Sequence, residues 1–305
     1  MPDYRKYPQL LLAGVWMTSM AQAVVAEVAQ QPVLSWVKND APPFYIVTDN
    51  CQRGFGDQVQ TILEKALTGY QHTTYYVPLS RLEYTWAEYN PLCFTTMIHQ
   101  KPVNDGYTLS MPNAMYLPHG IITTNRFADS LTLNKDGTVT LEELLKSRRV
   151  SMGHIAGRSY SEKIDGMLRR YEDNIDKNVR AGSTETQGIL TMLSLGRFDF
   201  IIEYEFVLNH YVDEADYADQ LRFIPISETR GDVILGAVGC SNSPEGRKAL
   251  NAINTALPEL VKTRAYRRAV ADWLVPVGDE VHYWRKFDEV LDKYLGKPVE
   301  LSADE

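Results

Sequence analysis

Cysteine is scarce in this sequence: Cys51, Cys93 and Cys240 are the three in a chain of 305 residues. That is too few for a disulfide-framework fold, and their spacing fits no zinc-ligand pattern. Long apolar runs are also missing beyond the first two dozen residues, whereas crossing a hydrocarbon layer of ~30 Å takes roughly 20 apolar residues as helix. Positive charge is not in excess. The balance is 31 basic to 39 acidic residues, a net −8, which argues against nucleic acid and anionic membranes as partners. There is no Walker loop, no Gly-x-Ser-x-Gly elbow and no His-Glu-x-x-His pair. The six histidines show no ligand spacing, so hydrolase, nucleotide-enzyme and metal readings have no support and no cofactor is expected. Residues 132–137 with Glu143 imitate a calcium loop, but Thr132 stands where the first aspartate belongs. They read as a turn before a helix at 141–146. No period of 20–50 residues recurs, which excludes a solenoid.

The N-terminus is informative. Arg5 and Lys6 precede an apolar stretch at 10–17, and Ala21-Gln22-Ala23 follows as a small-x-small exit, with Val24-Val25-Ala26 as a second choice. These are the three parts of a cleavable signal peptide, here 1–26. No cysteine follows the apolar stretch, so a lipid anchor is not expected. The sequence thus predicts a soluble exported protein, in the periplasm. Removing 1–26 takes away Arg5, Lys6 and Asp3 and leaves 29 basic against 38 acidic residues, about −9. In an oxidising compartment the three cysteines are expected as one disulfide plus a free thiol, or as three reduced thiols.

Strand and helix patterns alternate along the mature part. Residues 33–37 read as a strand ending at Asn39-Asp40-Ala41-Pro42-Pro43, where two prolines force an extended exit. Gly54-Phe55-Gly56-Asp57 opens a helix with Val59, Ile62, Leu63, Ala66 and Leu67 on one stripe. A strand at 73–79 follows, then Ser80 and Glu83 as a capping-box pair. Strands are predicted at 92–98 and 117–123, then at 149–155, 198–202 and 233–238. Helices are predicted at 161–171, 185–195, 206–211, 244–257, 263–274 and 280–295. Strand, helix, strand at this spacing indicates a doubly wound α/β architecture.

Five segments in this order resemble the bacterial extracellular solute-binding proteins of type II (family 3), which include the amino-acid-binding components of ABC importers. They are the Pro42-Pro43-Phe44-Tyr45 turn, the Gly54-Phe55-Gly56-Asp57 helix start, Thr95-Thr96 followed by Ser110-Met111-Pro112, the Gly157-Arg158-Ser159-Tyr160 turn, and the Leu193 to Ile202 stretch. The resemblance spans 33–274. It implies a two-lobed fold, each lobe a mainly parallel sheet flanked by helices, joined by two crossover strands. Lobe 1 would comprise 32–121 plus 233–305, the latter with a C-terminal helical tail, and lobe 2 would comprise 122–232. Hinges are expected near Thr123 and Asp232. In the family the return strand runs antiparallel beside the third strand. That would bring Cys240 to Cys93 within disulfide reach and leave Cys51 free.

The resemblance also implies a ligand in the interlobe cleft. Asp40 at the first strand's end is a candidate contact or a turn cap, and Phe44 or Tyr45 offers a ring, one of the two pointing into the core. Arg81 is a carboxylate clamp or a surface ion pair. Thr95 and Thr96 offer hydroxyls and backbone groups. Where family members carry Thr-x-x-Arg, this chain has no arginine, and Lys101 is the nearest substitute, without the guanidinium fork. Arg158, Ser159 and Tyr160 sit at a strand-to-helix turn whose N–H groups favour an anion. Ser183 and Thr184 read as helix caps. Glu203 or Tyr204 holds the place of the acid that binds an ammonium group. The expected function is capture of a small polar ligand, amino-acid-like or another charged metabolite, for ABC-type uptake. The alternatives are sensing for a membrane receptor and a dehydratase-like enzyme on the same fold. The partners would be a small molecule and an ABC permease or membrane sensor, the protein itself being a monomer.

Overall fold

The structure, a computed structural model, describes residues 30–47, 53–102, 104–147, 149–182, 184–212, 220–276 and 278–295. The signal segment, Cys51 and Ser183 lie outside the described residues.

The described strands are β1 (Val33–Lys38), β2 (Gln71–Tyr76), β3 (Leu92–Ile98), β4 (Tyr107–Tyr116), β5 (Gly120–Thr124), β6 (Val150–Ile155), β7 (Ile175–Arg180), β8 (Phe200–Glu203), β9 (Leu221–Pro225) and β10 (Ile234–Ser241). They form two five-stranded sheets, ordered β2-β1-β3-β10-β4 and β7-β6-β8-β5-β9. In the first sheet β1 pairs in parallel with β2 and β3, while β10 is antiparallel to β3 and β4. In the second, β6 pairs in parallel with β7 and β8, while β5 is antiparallel to β8 and β9. Both sheets are therefore mixed, each with a single reversed strand in fourth place. That strand is in each case the one the chain enters on arriving from the other sheet.

Three strands escaped the sequence reading. β7 and β9 are edge strands with few buried side chains, and β4 carries Pro112. Proline lacks an N–H and is tolerated in a sheet at such an edge.

The helices are α1 (Phe55–Ala66), α2 (Leu82–Glu88), α3 (Asn125–Ala128), α4 (Leu141–Ser147), α5 (Glu162–Arg170), α6 (Glu185–Ser194), α7 (Glu205–Val212), α8 (Pro244–Leu260), α9 (Arg264–Leu274) and α10 (Glu280–Leu291). α1 buries Val59 and Leu63 as its stripe predicts. Its Asp57 accepts from the Gly54 N–H, the Ile46 N–H and the Lys38 Nζ, tying β1, the proline turn and the helix together. Gly54 is required here, because a Cβ would stand 2.3 Å from the Pro43 carbonyl oxygen. The capping box expected at Ser80 and Glu83 is not formed. Leu79–Arg81 is a 3-10 turn, α2 starts one residue later, and Glu83 accepts from the Asn104 amide instead. Thr184 occupies the N-cap position of α6 but at φ +53° and without the side-chain capping bond expected of it.

Edge strand β4 is sealed by the last helices. The Met111 N–H donates to Asn254 Oδ1, Tyr266 Oη donates to the Asn113 carbonyl, and Tyr283 Oη bonds both Met115 backbone groups. Unpaired edge groups template aggregation when left open. Within the first sheet Cys93 and Cys240 face each other in register and form a fully buried disulfide, with Cα atoms 4.1 Å apart.

The chain passes to the second sheet between Tyr116 and Gly120 and returns between Pro225 and Ile234. Asp232 lies in the return crossing. Thr123 does not mark the outward one: it lies inside β5, opposite Phe200, and its hydroxyl donates to the Asp199 carbonyl. The expected boundary between 121 and 122 also cuts β5. Strand alternation divides the core of the second sheet. Ile122 and Ile201 join a cluster continuous with the first sheet, while Ile121, Phe200 and Ile202 pack with α4 and α5 on the other face. The described residues from Pro32 onward hold together as one unit.

Candidate functional site

A cavity of about 630 Å³ lies between the two sheets, within the range of roughly 300–1,000 Å³ typical of small-molecule sites. The first sheet and its loops line it with Asn39, Ser80, Thr96 and Gln100, the second with His154, Arg158, Ser159 and Lys177. Its aromatic side is Phe44, Trp86, Tyr116 and Tyr204. Phe44 sits edge-on to Tyr116 at 6.0 Å and tilted against Tyr204 at 5.9 Å.

The wall between strands β6 and β8 is organised by one ion pair. Arg158, in the turn after β6, donates through one nitrogen to both oxygens of Glu203, at 2.7 and 2.6 Å. The Glu203 side chain is 3% exposed and that of Arg158 15%. Burial pushes the Glu203 carboxyl up, while the guanidinium and the Tyr204 N–H pull it back. The guanidinium also lies 5.6 Å from the Phe44 ring and 5.7 Å from the Tyr204 ring. Behind Tyr204, His119 stacks at 3.9 Å, and burial, with Arg158 nearby, holds its imidazole well below the usual value. His154 is lowered to about 4 by burial and by Lys177 and Arg158, so it is neutral at pH 7.

The two sheets touch across the cavity. Gln100 Nε2 donates to Ser159 Oγ at 2.9 Å. Gly157, at φ +82°, is packed so that a Cβ would stand 2.9 Å from the Leu79 carbonyl oxygen. Glu185, at the start of α6, accepts from the Leu79 and Gly182 backbone, and burial raises its carboxyl to about 7.

Of the residues singled out from the sequence, Phe44, Thr96, Arg158, Ser159, Tyr160 and Tyr204 line the cavity. The other six do not. Tyr45 and Thr95 are buried and hydrogen-bonded to each other at 2.5 Å below the cavity, with Tyr45 stacked on Phe94. Asp40 accepts weakly from the Val47 N–H at 3.4 Å, and its neighbour Asn39 lines the cavity instead. Arg81 and Lys101 are exposed, and their neighbours Ser80 and Gln100 take the lining positions. Glu203 lies behind Arg158. The N–H of Tyr160, expected to favour an anion, already has one: it donates to Asp165, which also accepts from the Ser159 hydroxyl. Sequence reasoning missed Tyr116 and Lys177 because β4 and β7 were unread, and Trp86 because no motif marks it.

No family model matches this chain, and no curated protein matches it. Solved structures do. A putative L-cystine ABC transporter protein from Listeria monocytogenes is 13% identical, with 81% of this chain and 97% of that chain covered and a TM-score of 0.62. An arginine transport periplasmic binding protein from Legionella pneumophila is 15% identical over 80% of this chain and 100% of its own, with a TM-score of 0.58. A histidine kinase sensor domain with similarity to periplasmic binding proteins is 14% identical over 80% and 95%, with a TM-score of 0.59. The chain has their fold: two mixed sheets flanked by helices, joined by two crossings, as the motif order predicted.

Proposed function

We propose that the protein is a solute-binding protein that closes its two lobes on a small molecule in the interlobe cavity. The supporting observation is the cavity itself, built from the strand ends of both sheets and bridged by Gln100 and Ser159. Two chain crossings at its back permit hinge closure. Phe44, Thr96, Arg158, Ser159, Tyr160 and Tyr204 are the contacts proposed for the ligand. Export to the periplasm through the 1–26 segment, a monomeric state and delivery to an ABC permease belong to the same reading. So does the division into lobes, with the first boundary moved to the 117–119 crossing. The sensor-domain neighbour makes a membrane sensor the alternative receiver. A dehydratase would need a free acid–base pair. Glu203 is tied to Arg158, and Arg81 and Lys101 do not line the cavity, which favours binding over turnover.

A thermal-shift screen of amino acids, short peptides, organic acids and sugars tests the reading. A ligand of the folded state raises the melting temperature by mass action. The expected result is at least one saturable shift that Phe44→Ala abolishes. Shifts that survive Phe44→Ala would place the ligand elsewhere, and chemical conversion of a bound solute would make the protein an enzyme.

A further inference from the structure

A protein subsite for an organic cation needs ring faces and a carboxylate: the rings supply quadrupole attraction within about 6 Å and the carboxylate supplies charge. Such an arrangement stands at the wall of this cavity, with the carboxylate just behind it. Phe44 comes from the first lobe, and Tyr204 and Glu203 come from the end of β8 in the second. The cation among them belongs to the protein. The Arg158 guanidinium carbon stands 5.6 Å from one ring and 5.7 Å from the other, and one of its nitrogens reaches both Glu203 oxygens. Its backbone is fixed: the Arg158 N–H donates to the Ile155 carbonyl at 3.0 Å, and Gly157 is wedged against Leu79. The side chain is thus delivered into the subsite by a turn with little freedom.

We propose that Arg158 is a built-in occupant of a cation subsite, and that the cleft therefore selects solutes whose inner group carries no positive charge. This rests on the solute-binding reading above and adds the ligand class. An incoming ammonium or guanidinium would meet a like charge and find the carboxylate and both rings already engaged. What the lobe 1 side of the cavity offers is mostly neutral. The Tyr116 and Tyr204 side chains border it, both at least 98% buried, with hydroxyls closed off from solvent and without a hydrogen-bond partner among the described residues. Asn39, Thr96 and Gln100 add amide and hydroxyl groups on the facing wall. Glu83, the acid on that wall, is bonded by the Asn104 amide. Amide, hydroxyl or carbonyl groups flanked by an apolar face match these partners. The chemistry is that of a blocked or short peptide, or of a polyol.

Chemical rescue tests the proposal. Removing the side chain in Arg158→Ala should empty the subsite, so that ethylguanidinium raises the melting temperature of the variant and binds it at least about tenfold more tightly than the wild type, a difference of 1.4 kcal/mol. Free arginine, lysine and agmatine should leave the wild type unmoved, while uncharged peptides or sugars shift it. If Arg158→Ala does not fold alone, Arg158→Gln or refolding yield with and without ethylguanidinium carries the same comparison. Absence of rescue in every variant overturns the proposal. So does wild-type binding of a cationic amino acid at similar strength, although solute capture would then stand. Rescue of the variant with no solute of any class binding the wild type would keep the subsite and defeat solute capture.

Discussion

The two lobes share one strand plan and fasten it differently. In lobe 1 the reversed strand β10 is locked at its far end to β3 by the Cys93–Cys240 disulfide. In lobe 2 the reversed strand β5 has no such crosslink among the described residues, and beside its backbone pairing Thr123 donates to the Asp199 carbonyl there. At the cleft end the contrast is inverted. The lobe 1 wall is mostly neutral amides, hydroxyls and rings, whereas the lobe 2 wall carries Arg158, Asp165, Arg169, Glu172 and Lys177. Strand topology can therefore stay constant while the means of fastening it, and the charge at its ends, vary independently. Lobe 1 has its covalent brace far from the cleft, and lobe 2 has its Arg158–Glu203 pair at it.

The sharpest way to break that contrast is to remove the lobe 2 brace. Arg158→Ala leaves the Glu203 carboxylate buried without its partner and should lower unfolding free energy by about 3–5 kcal/mol in urea titrations. Replacing both residues by apolar ones of similar volume should recover most of it. A double variant as unstable as the single one would mean that packing, not charge pairing, holds the wall. Next is the lobe 1 brace. Cys93→Ala with Cys240→Ala should cost about 2–4 kcal/mol by relaxing the unfolded chain. Hydrogen exchange should then speed up in β3 and β10 before β5 and β8; equal acceleration in both sheets would show that the lobes open as one.

A pH series sharpens the comparison at the cleft. Glu185 has its carboxyl raised to about 7 by burial, against an unfolded value of about 4.3. Between these values the folded state binds more protons than the unfolded one, so this group makes stability fall as pH rises from about 4 to 7. Glu185→Gln should flatten that decline and leave the variant relatively more stable at pH 8. An unchanged slope would show that the carboxylate ionises freely. The smallest effect is expected at the bridge. Gln100→Ala or Ser159→Ala should shift the open–closed balance by about 0.5–1.5 kcal/mol, read as weakened affinity for any identified ligand with little change in melting temperature of the free protein.

Much of the architecture was legible because buried strands and amphipathic helices carry strong periods. The opening helix and the β3–β10 pairing followed from that pattern together with the family resemblance. Edge strands β7 and β9 were not legible, since a strand with one partner buries too few side chains to leave a pattern. In the site, the correct segments were found and the individual residues were often displaced by one. Ser80 lines the cavity next to Arg81, Gln100 next to Lys101, and Asn39 next to Asp40. A charged side chain attracts attention in a sequence, but backbone geometry decides which neighbour faces the cleft. Phe44 and Tyr45 obeyed the same alternation, with Tyr45 turned into the core. That Arg158 and Glu203 would meet was invisible, because each looked suited to a ligand and nothing local showed that they neutralise one another.

The interior place of β10, between β3 and β4, bears on how this chain is made. β3 and β4 do not pair with each other; they are joined only by β10, which begins at Ile234, after all of lobe 2 has been synthesised. The tyrosines that close the β4 edge lie later still, at 266 and 283. An emerging N-terminal half therefore lacks the strand that would complete its sheet, and its native pairings have high contact order, which slows folding. Under the export proposed above, late arrival of this interior strand would be a built-in delay before folding.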